Sequence, residues 1–145
     1  MKNLTLNQDI IHLMNQQTRY FAKELNNRLT DHELYASQWS IIFCLHRYGT
    51  MTQTDIWKYL NVDAPTMTRT LSRMEKNGWI IRKPGKDKRE RVIELTDFAK
   101  KEFTELRKKI DQFDADMLGS LSQTEKEQLR NLLLKLKTAG ENQIE

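Results

Sequence analysis

Between Met51 and Leu95 the chain reads as a short helix, a tight turn, a second helix and a basic hairpin, an order that few folds accept in so short a stretch. The first helix begins after Thr52, whose hydroxyl can cap it, with Asp55 near the positive helix end. Ile56 and Leu60 supply its inward side, and Asn61 tolerates the left-handed turn that follows. The second helix is expected to start at Asp63, another N-cap residue, with Pro65 acceptable in a first turn because no intrahelical partner waits there for its N–H. Met67, Leu71 and Met74 recur at i, i+4 and i+7 and make a buried stripe. Thr66, Arg69, Ser72, Arg73 and Lys76 then point outward, and Asn77-Gly78 stops the helix. Trp79 to Lys83 is short, apolar and β-branched, and Pro84-Gly85 breaks it. Arg91 to Leu95 alternates, with Ile93 and Leu95 on one face and Val92 and Glu94 on the other, so a hairpin follows. Its tip, Lys86 to Glu90, carries no large apolar residue and is expected to be mobile without a ligand. This is the outline of a winged helix-turn-helix.

The flanks predict more helix. From about Leu6 to Leu29, Leu6, Ile10, Leu13, Phe21, Leu25 and Leu29 recur at helical spacing, interrupted by Gln17, and Thr30-Asp31-His32 reads as a break. A helix over Ser37 to Tyr48 is expected to be capped by Ser37, centred on Trp39, Ile42, Phe43 and Leu45, and ended by Gly49. Thr96 caps a long helix in which Phe103, Leu106, Ile110, Phe113 and Met117 form a coiled-coil-like seam. After Gly119-Ser120, Ser122 and Glu125 make a capping box for a last helix striped by Leu129, Leu132, Leu133 and Leu136 and ended by Gly140. The fold class is therefore mainly α with a small β-hairpin wing. Three regions are expected: residues 1–36 and 96–145 for dimerisation, and residues 37–95 for DNA binding. Terminal stripes this apolar call for cover, most simply from the same helices of a second chain; the alternative is that they fold back on their own chain as a monomeric bundle.

Charge says where a partner would sit. Residues 61–95 hold nine Lys/Arg against five Asp/Glu, a surplus equal to the +4 of the whole chain. No run of about 18 apolar residues predicts a membrane span. The start, MKNLTLNQDI, lacks the apolar core of a secretory signal, and one cysteine, Cys44, excludes an intrachain disulfide framework. A cytoplasmic protein is expected.

Duplex DNA offers phosphates, which set position and salt dependence, and base edges, which set sequence preference. Arg69 and Arg73, one turn apart, suit guanine O6/N7 or a phosphate. Thr66, Thr68 and Ser72 are short hydroxyls that permit close approach, while Pro65 and the Thr66 methyl suit a thymine methyl. Lys86, Lys88 and Arg89 at the hairpin tip suit phosphates or a narrow minor groove. Taken singly, the basic hairpin reads equally as a solvated surface loop, and Arg69 or Arg73 as an ordinary helix charge. Their combination with the helix-turn-helix spacing is what points to DNA.

The run from Asp63 to Ile80 (DAPTMTRTLSRMEKNGWI), then Asp87-Lys88-Arg89 and Leu95-Thr96, resembles the MarR family of bacterial transcriptional regulators. The shared pattern is a Thr-Arg step in the recognition helix, Gly-Trp-Ile leading into the wing, Asp-x-Arg in the wing and Leu-Thr leading out into a long helix. The resemblance implies a homodimeric repressor or activator on pseudo-palindromic double-stranded DNA, often released by a small molecule or by thiol oxidation. It assigns Thr66, Thr68, Arg69, Ser72 and Arg73 to the recognition helix, Arg89 to the minor groove, and Asp87 to bracing Arg89 or a neighbouring arginine. Thr70 departs from the larger apolar residue common in the family, and the basic tip is short.

An effector pocket is expected where the first, second and fifth helices meet, with His12, Tyr20, Trp39, Phe43 and Arg47 as candidates. Ordinary core and boundary roles compete for each of them. Cys44 sits among Ile42, Phe43 and Leu45 and reads as an unreactive core thiol. The three histidines are widely separated, and no metal or cofactor is expected. Two other functions compete. A protein-interaction module on the same scaffold would need an apolar recognition surface. An enzyme would need a nucleophile–base pair, phosphate loop or metal cluster, and Asp55, Asp63 and Glu75 read instead as capping or surface carboxylates.

Overall fold

The computed structural model describes residues 3–136, which divide after Ala36 into two compact units. In the first, α1 runs Leu6–Leu29. It opens on a capping box that the sequence reading passed over: Thr5 Oγ1 accepts from the Gln8 N–H at 3.1 Å, and Gln8 Oε1 accepts from the Thr5 N–H at 2.9 Å. Leu6, Ile10, Ile11, Leu13 and Met14 are all exposed. The expected break is a 3₁₀ turn over Thr30–His32, closed by Glu33 in the left-handed region at φ 55°.

The helix α2 spans Ala36–Tyr48. It starts one residue before the expected cap, so Ser37 lies inside the first turn. The Ala36 N–H is met instead by Asn26 Oδ1 at 2.6 Å. Trp39, Ile41, Ile42, Cys44 and Leu45 are buried, but Phe43 is 41 % exposed, against the expectation of a central residue. Helical spacing puts Phe43 on a different face from Ile41, Ile42 and Leu45, which apolarity alone cannot reveal. Gly49, at φ 76°, ends the helix as expected.

A two-residue strand, β1 (Met51–Thr52), comes next and was not anticipated. Two residues leave no alternation to detect, and the pairing is with distant sequence. Thr52 also caps α3 (Gln53–Leu60) through the Asp55 N–H at 3.1 Å, and Asn61 takes the left-handed turn at φ 55°. The helix α4 (Ala64–Lys76) is capped by Asp63, and Met67, Leu71 and Met74 are its buried stripe. Gly78, at φ 83°, turns the chain into β2 (Ile80–Pro84), which pairs antiparallel with β3 (Arg91–Leu95). The strand β2 lies one residue later than the expected Trp79 to Lys83. Pro84 can end it, opposite Arg91, because a proline at a strand's end loses little ladder bonding. The sheet order is β1-β3-β2, with Met51 opposite Ile93.

Thr96 caps α5 (Asp97–Met117) by accepting the Ala99 N–H at 3.1 Å, and its own hydroxyl donates to the Gly78 carbonyl at 2.6 Å. The expected seam is buried at Phe103, Leu106, Ile110 and Phe113, with Met117 half-buried. Part of its cover is α2: Phe103 stacks on Trp39 at 5.8 Å and on His46 at 3.8 Å between ring centroids. The core of this unit gathers Ile41, Ile42, Ile56, Met67, Leu71, Met74, Ile80, Ile93 and Leu106, each no more than 2 % exposed. Each such side chain contributes roughly 1.5–3 kcal/mol on burial. The last described helix, α6 (Gln123–Leu136), opens on the Ser122–Glu125 capping box, with bonds of 2.9 and 3.2 Å. Its stripe of Leu129, Leu132, Leu133 and Leu136 is exposed throughout. Gly140, the expected end of that helix, lies outside the described residues.

Candidate nucleic-acid interface

The outer face of α4 is ordered from its first turn. Asp63 Oδ1 accepts the Thr66 N–H at 2.9 Å, and the Thr66 hydroxyl donates to Asp63 Oδ2 at 2.8 Å. These bonds hold the Asp63 carboxyl below the usual carboxylate range. Arg69 Nη2 in turn donates to Thr66 Oγ1 at 3.2 Å, so the guanidinium is steadied over the helix start. The Thr68 hydroxyl donates to the Ala64 carbonyl at 3.0 Å and accepts from Gln53 Nε2 at 2.9 Å. That last bond ties the first turn of α3 to α4.

A hydroxyl has one proton. Thr66 and Thr68 both use theirs inside the protein, so they meet a ligand as acceptors, matching the amino groups of cytosine or adenine in a major groove. Ser72 differs. Its oxygen accepts from Arg82 Nη2 at 3.2 Å, which leaves its proton available. Arg73 and Pro65 are exposed, and Arg73 has no ion-pair partner among the described residues.

The wing is fastened to α4 by Glu75. Its Oε1 accepts from Arg82 Nη2 at 3.0 Å and Nε at 3.3 Å, and its Oε2 accepts the Arg82 N–H at 3.2 Å. The Arg82 hydrogen bonds hold the Glu75 carboxyl below its ordinary range. Lys83 Nζ and Glu94 brace the two strands at 3.1 Å. At the tip, the Gly85 N–H donates to the Glu90 carbonyl at 3.1 Å and the Glu90 N–H to the Asp87 carbonyl at 3.0 Å. A Cβ on Gly85 would stand 2.7 Å from Glu90 Cβ, so the turn is closed to other residues without a shift. Asp87 Oδ1 accepts the backbone N–H of Arg89 at 3.2 Å, shaping the tip through the main chain. Lys86, Lys88 and Arg89 are exposed beside one another.

Three contributors escaped the sequence reading. Gln53, Glu75 and Arg82 carry the bonds that set α3, α4 and β2 against one another, but nothing in their own spacing marks them. Glu75 and Arg82 meet only because Gly78 reverses the chain between them.

Of the five effector candidates, Trp39 and Phe43 line one cleft of about 320 Å³ together with His46, Phe103, Arg107, Ile110, Asp111 and Asp114. Arg47 is not in its lining and lies over the Tyr48 ring at 5.3 Å. His12 and Tyr20 belong to the first unit and are exposed. Among the described residues, no helix is long and apolar enough to cross a membrane, and no cluster of three His, Cys, Asp or Glu could hold a metal ion.

A profile of the MarR family matches residues 34–90. The chain is 44 % identical over 127 residues to the uncharacterized HTH-type transcriptional regulator YwoH of Bacillus subtilis strain 168, covering 88 % of this chain and 93 % of that one. Its fold is similar to that of a cysteine-to-serine mutant of MarR from E. coli complexed with operator DNA. There the TM-score is 0.82 at 24 % identity, over 93 % of this chain and 100 % of that one. It is similar too to an organohalide-sensing transcriptional regulator bound to 2,4-dichlorophenol, with a TM-score of 0.84 at 22 % identity, over 93 % of this chain and 81 % of that one. With the winged helix-turn-helix in place and a relative this close along nearly its whole length, the chain belongs to the MarR family of transcriptional regulators.

Proposed function

We propose that two copies of this chain read a pseudo-palindromic operator, each laying α4 in a major groove and its wing tip in the flanking minor groove. The observation that carries the reading is the outer face of α4. Arg69, Ser72 and Arg73 stand exposed on a helix capped by Asp63 and pinned to its neighbours by Gln53 and Glu75. Arg69 and Arg73 read bases or clamp phosphates, Thr66 and Thr68 accept from base amino groups, and Pro65 packs against a thymine methyl. Lys86, Lys88 and Arg89 add phosphate and minor-groove contacts, with Asp87 holding the tip in shape. The operator DNA bound by the E. coli relative of similar fold supports the same partner here.

Residues 1–36 and 96–145 join the two copies, because the leucines of α6 and the apolar residues of α1 are left uncovered in one chain. Two-fold symmetry then sets the reading helices about 34 Å apart, one duplex turn. The protein works in the cytoplasm, without a catalytic step. A small-molecule effector at the Trp39–Phe43 cleft adjusts operator affinity, as the ligand-bound relative suggests.

Selection of duplexes from a randomised pool tests the reading. The enriched sequence is expected to be an inverted repeat with half-sites one turn apart, and Arg69→Ala and Arg73→Ala are each expected to weaken its binding by roughly 1–3 kcal/mol. Recovery of no common sequence, or unchanged affinity in both variants, would overturn it.

A further inference from the structure

We propose that Glu75 and Arg82 form a positioning pair that sets the wing at a fixed offset from α4 and aims the Ser72 hydroxyl outward as a donor to DNA. The inference rests on the interface reading above. It adds the residues that register its two halves against each other.

Arg82 sits mid-strand in β2, opposite Ile93. Its backbone N–H, Nε and Nη2 all donate to the Glu75 carboxylate, and Nη2 reaches Ser72 Oγ as well. One guanidinium therefore holds two residues of α4 that lie nearly a turn apart. Lysine keeps the charge but has no planar fork, so it cannot make both contacts in this geometry.

The side chains are 23 % exposed at Arg82 and 40 % exposed at Glu75. An ion pair this open to water adds little to folding stability. What it can do is geometric. The cationic tip lies beyond Pro84, so a small rotation at the strand's root becomes a larger displacement at Arg89. Among the described residues, the side-chain hydrogen bonds between α4 and the wing are those that Arg82 makes to Glu75 and Ser72 at the strand's root.

The second consequence is for Ser72. Thr66 and Thr68 direct their protons to Asp63 and to the Ala64 carbonyl. Ser72 receives a bond from Arg82, which occupies one lone pair and leaves the O–H free to donate. On this face Ser72 supplies the hydroxyl donor and the threonines supply acceptors. Loss of Arg82 would release that orientation.

The experiment is a double-mutant cycle in full-length protein, with the highest-affinity duplex from the randomised pool as probe, read by fluorescence anisotropy. In the native background Arg89→Ala is expected to weaken binding about tenfold. In the Arg82→Ala background the same change is expected to cost less than about threefold, because the tip is already out of register. Ser72→Ala should show the same dependence on Arg82. Thermal midpoints should move little in Arg82→Ala, separating positioning from folding. If Arg82→Ala folds poorly, Arg82→Lys carries the cycle and is expected to behave alike. Equal penalties for Arg89→Ala in both backgrounds would overturn the proposal and leave the interface reading standing. Full affinity in Arg69→Ala, Arg73→Ala and Arg89→Ala alike would remove the interface reading, and this proposal with it.

Discussion

Thr96 and Gly78, eighteen residues apart, are joined by a 2.6 Å hydrogen bond from the threonine hydroxyl to the glycine carbonyl. Gly78 is where the chain leaves α4 for the wing, and Thr96 is where it leaves the wing for α5. The same oxygen accepts the Ala99 N–H at 3.1 Å and so caps α5. Thr96→Val keeps the shape and deletes both bonds. It leaves a part-buried carbonyl and a helix N–H without partners, a loss of about 1–3 kcal/mol. Urea unfolding at fixed protein concentration measures it, and a loss under about 0.5 kcal/mol would mean that water replaces the hydroxyl at both groups.

Leu132 and Leu133 are 59 % and 46 % exposed in the single chain. In a dimer built on α6 the exposed half of each is covered, and its burial contributes roughly 1 kcal/mol apiece. Leu132→Glu combined with Leu133→Glu would place carboxylates in that interface, at a cost greater than the apolar gain it replaces. Light scattering after size exclusion is expected to show the native chain as a dimer and the double variant as a monomer. A dimer mass that survives both substitutions would place the interface elsewhere.

Burial pushes the Cys44 thiol up from an ordinary value of 9.0 to about 11, against a smaller opposite pull from Arg47. The thiolate is the reactive form, so little of it exists at neutral pH. Alkylation of the native protein at pH 7.5 is expected to be far slower than in denaturant, and operator binding should survive mild peroxide. The same shift has a sign for stability. The folded state holds this proton more tightly than the unfolded chain, so the thiol takes nothing from stability below pH 9, and stability falls as pH rises from 9 toward 11. Cys44→Ala should flatten that alkaline decline relative to the native chain. Rapid native alkylation would show that the α2 face opens.

The parts legible in the sequence were those governed by neighbours along the chain. Thr52, Asp63, Thr96 and Ser122 cap helices as read, since a cap needs only a short polar side chain and an N–H two or three residues on. Gly49, Asn61 and Gly78 stop helices as read, because each takes a positive φ. The capping box at Thr5 and Gln8 carried the same local signal and was overlooked.

Other features depend on residues far apart in sequence. The strand β1 exists only through β3, and the Glu75–Arg82 link only through the turn at Gly78. Phe43 and the α6 leucines show a different limit. Periodicity marks which residues are apolar and which share a helix face, but what covers that face is a tertiary or quaternary matter. At the interface, the residue types on α4 were readable, whereas the direction of each hydroxyl proton was not, because it depends on Asp63, Gln53 and Arg82.

Thr52 ends β1, whose partner β3 carries the wing, and it also caps the first turn of α3. The hairpin is thus rooted in the residue where the helical pair begins, well away from its own apex. Residues inserted or deleted around Lys88 would lengthen or shorten the reach toward neighbouring nucleotides without tilting the scaffold beneath. In such a design arm length is a parameter separable from helix placement, and drift there would retune how many base pairs flank the core site while the core site itself stays the same.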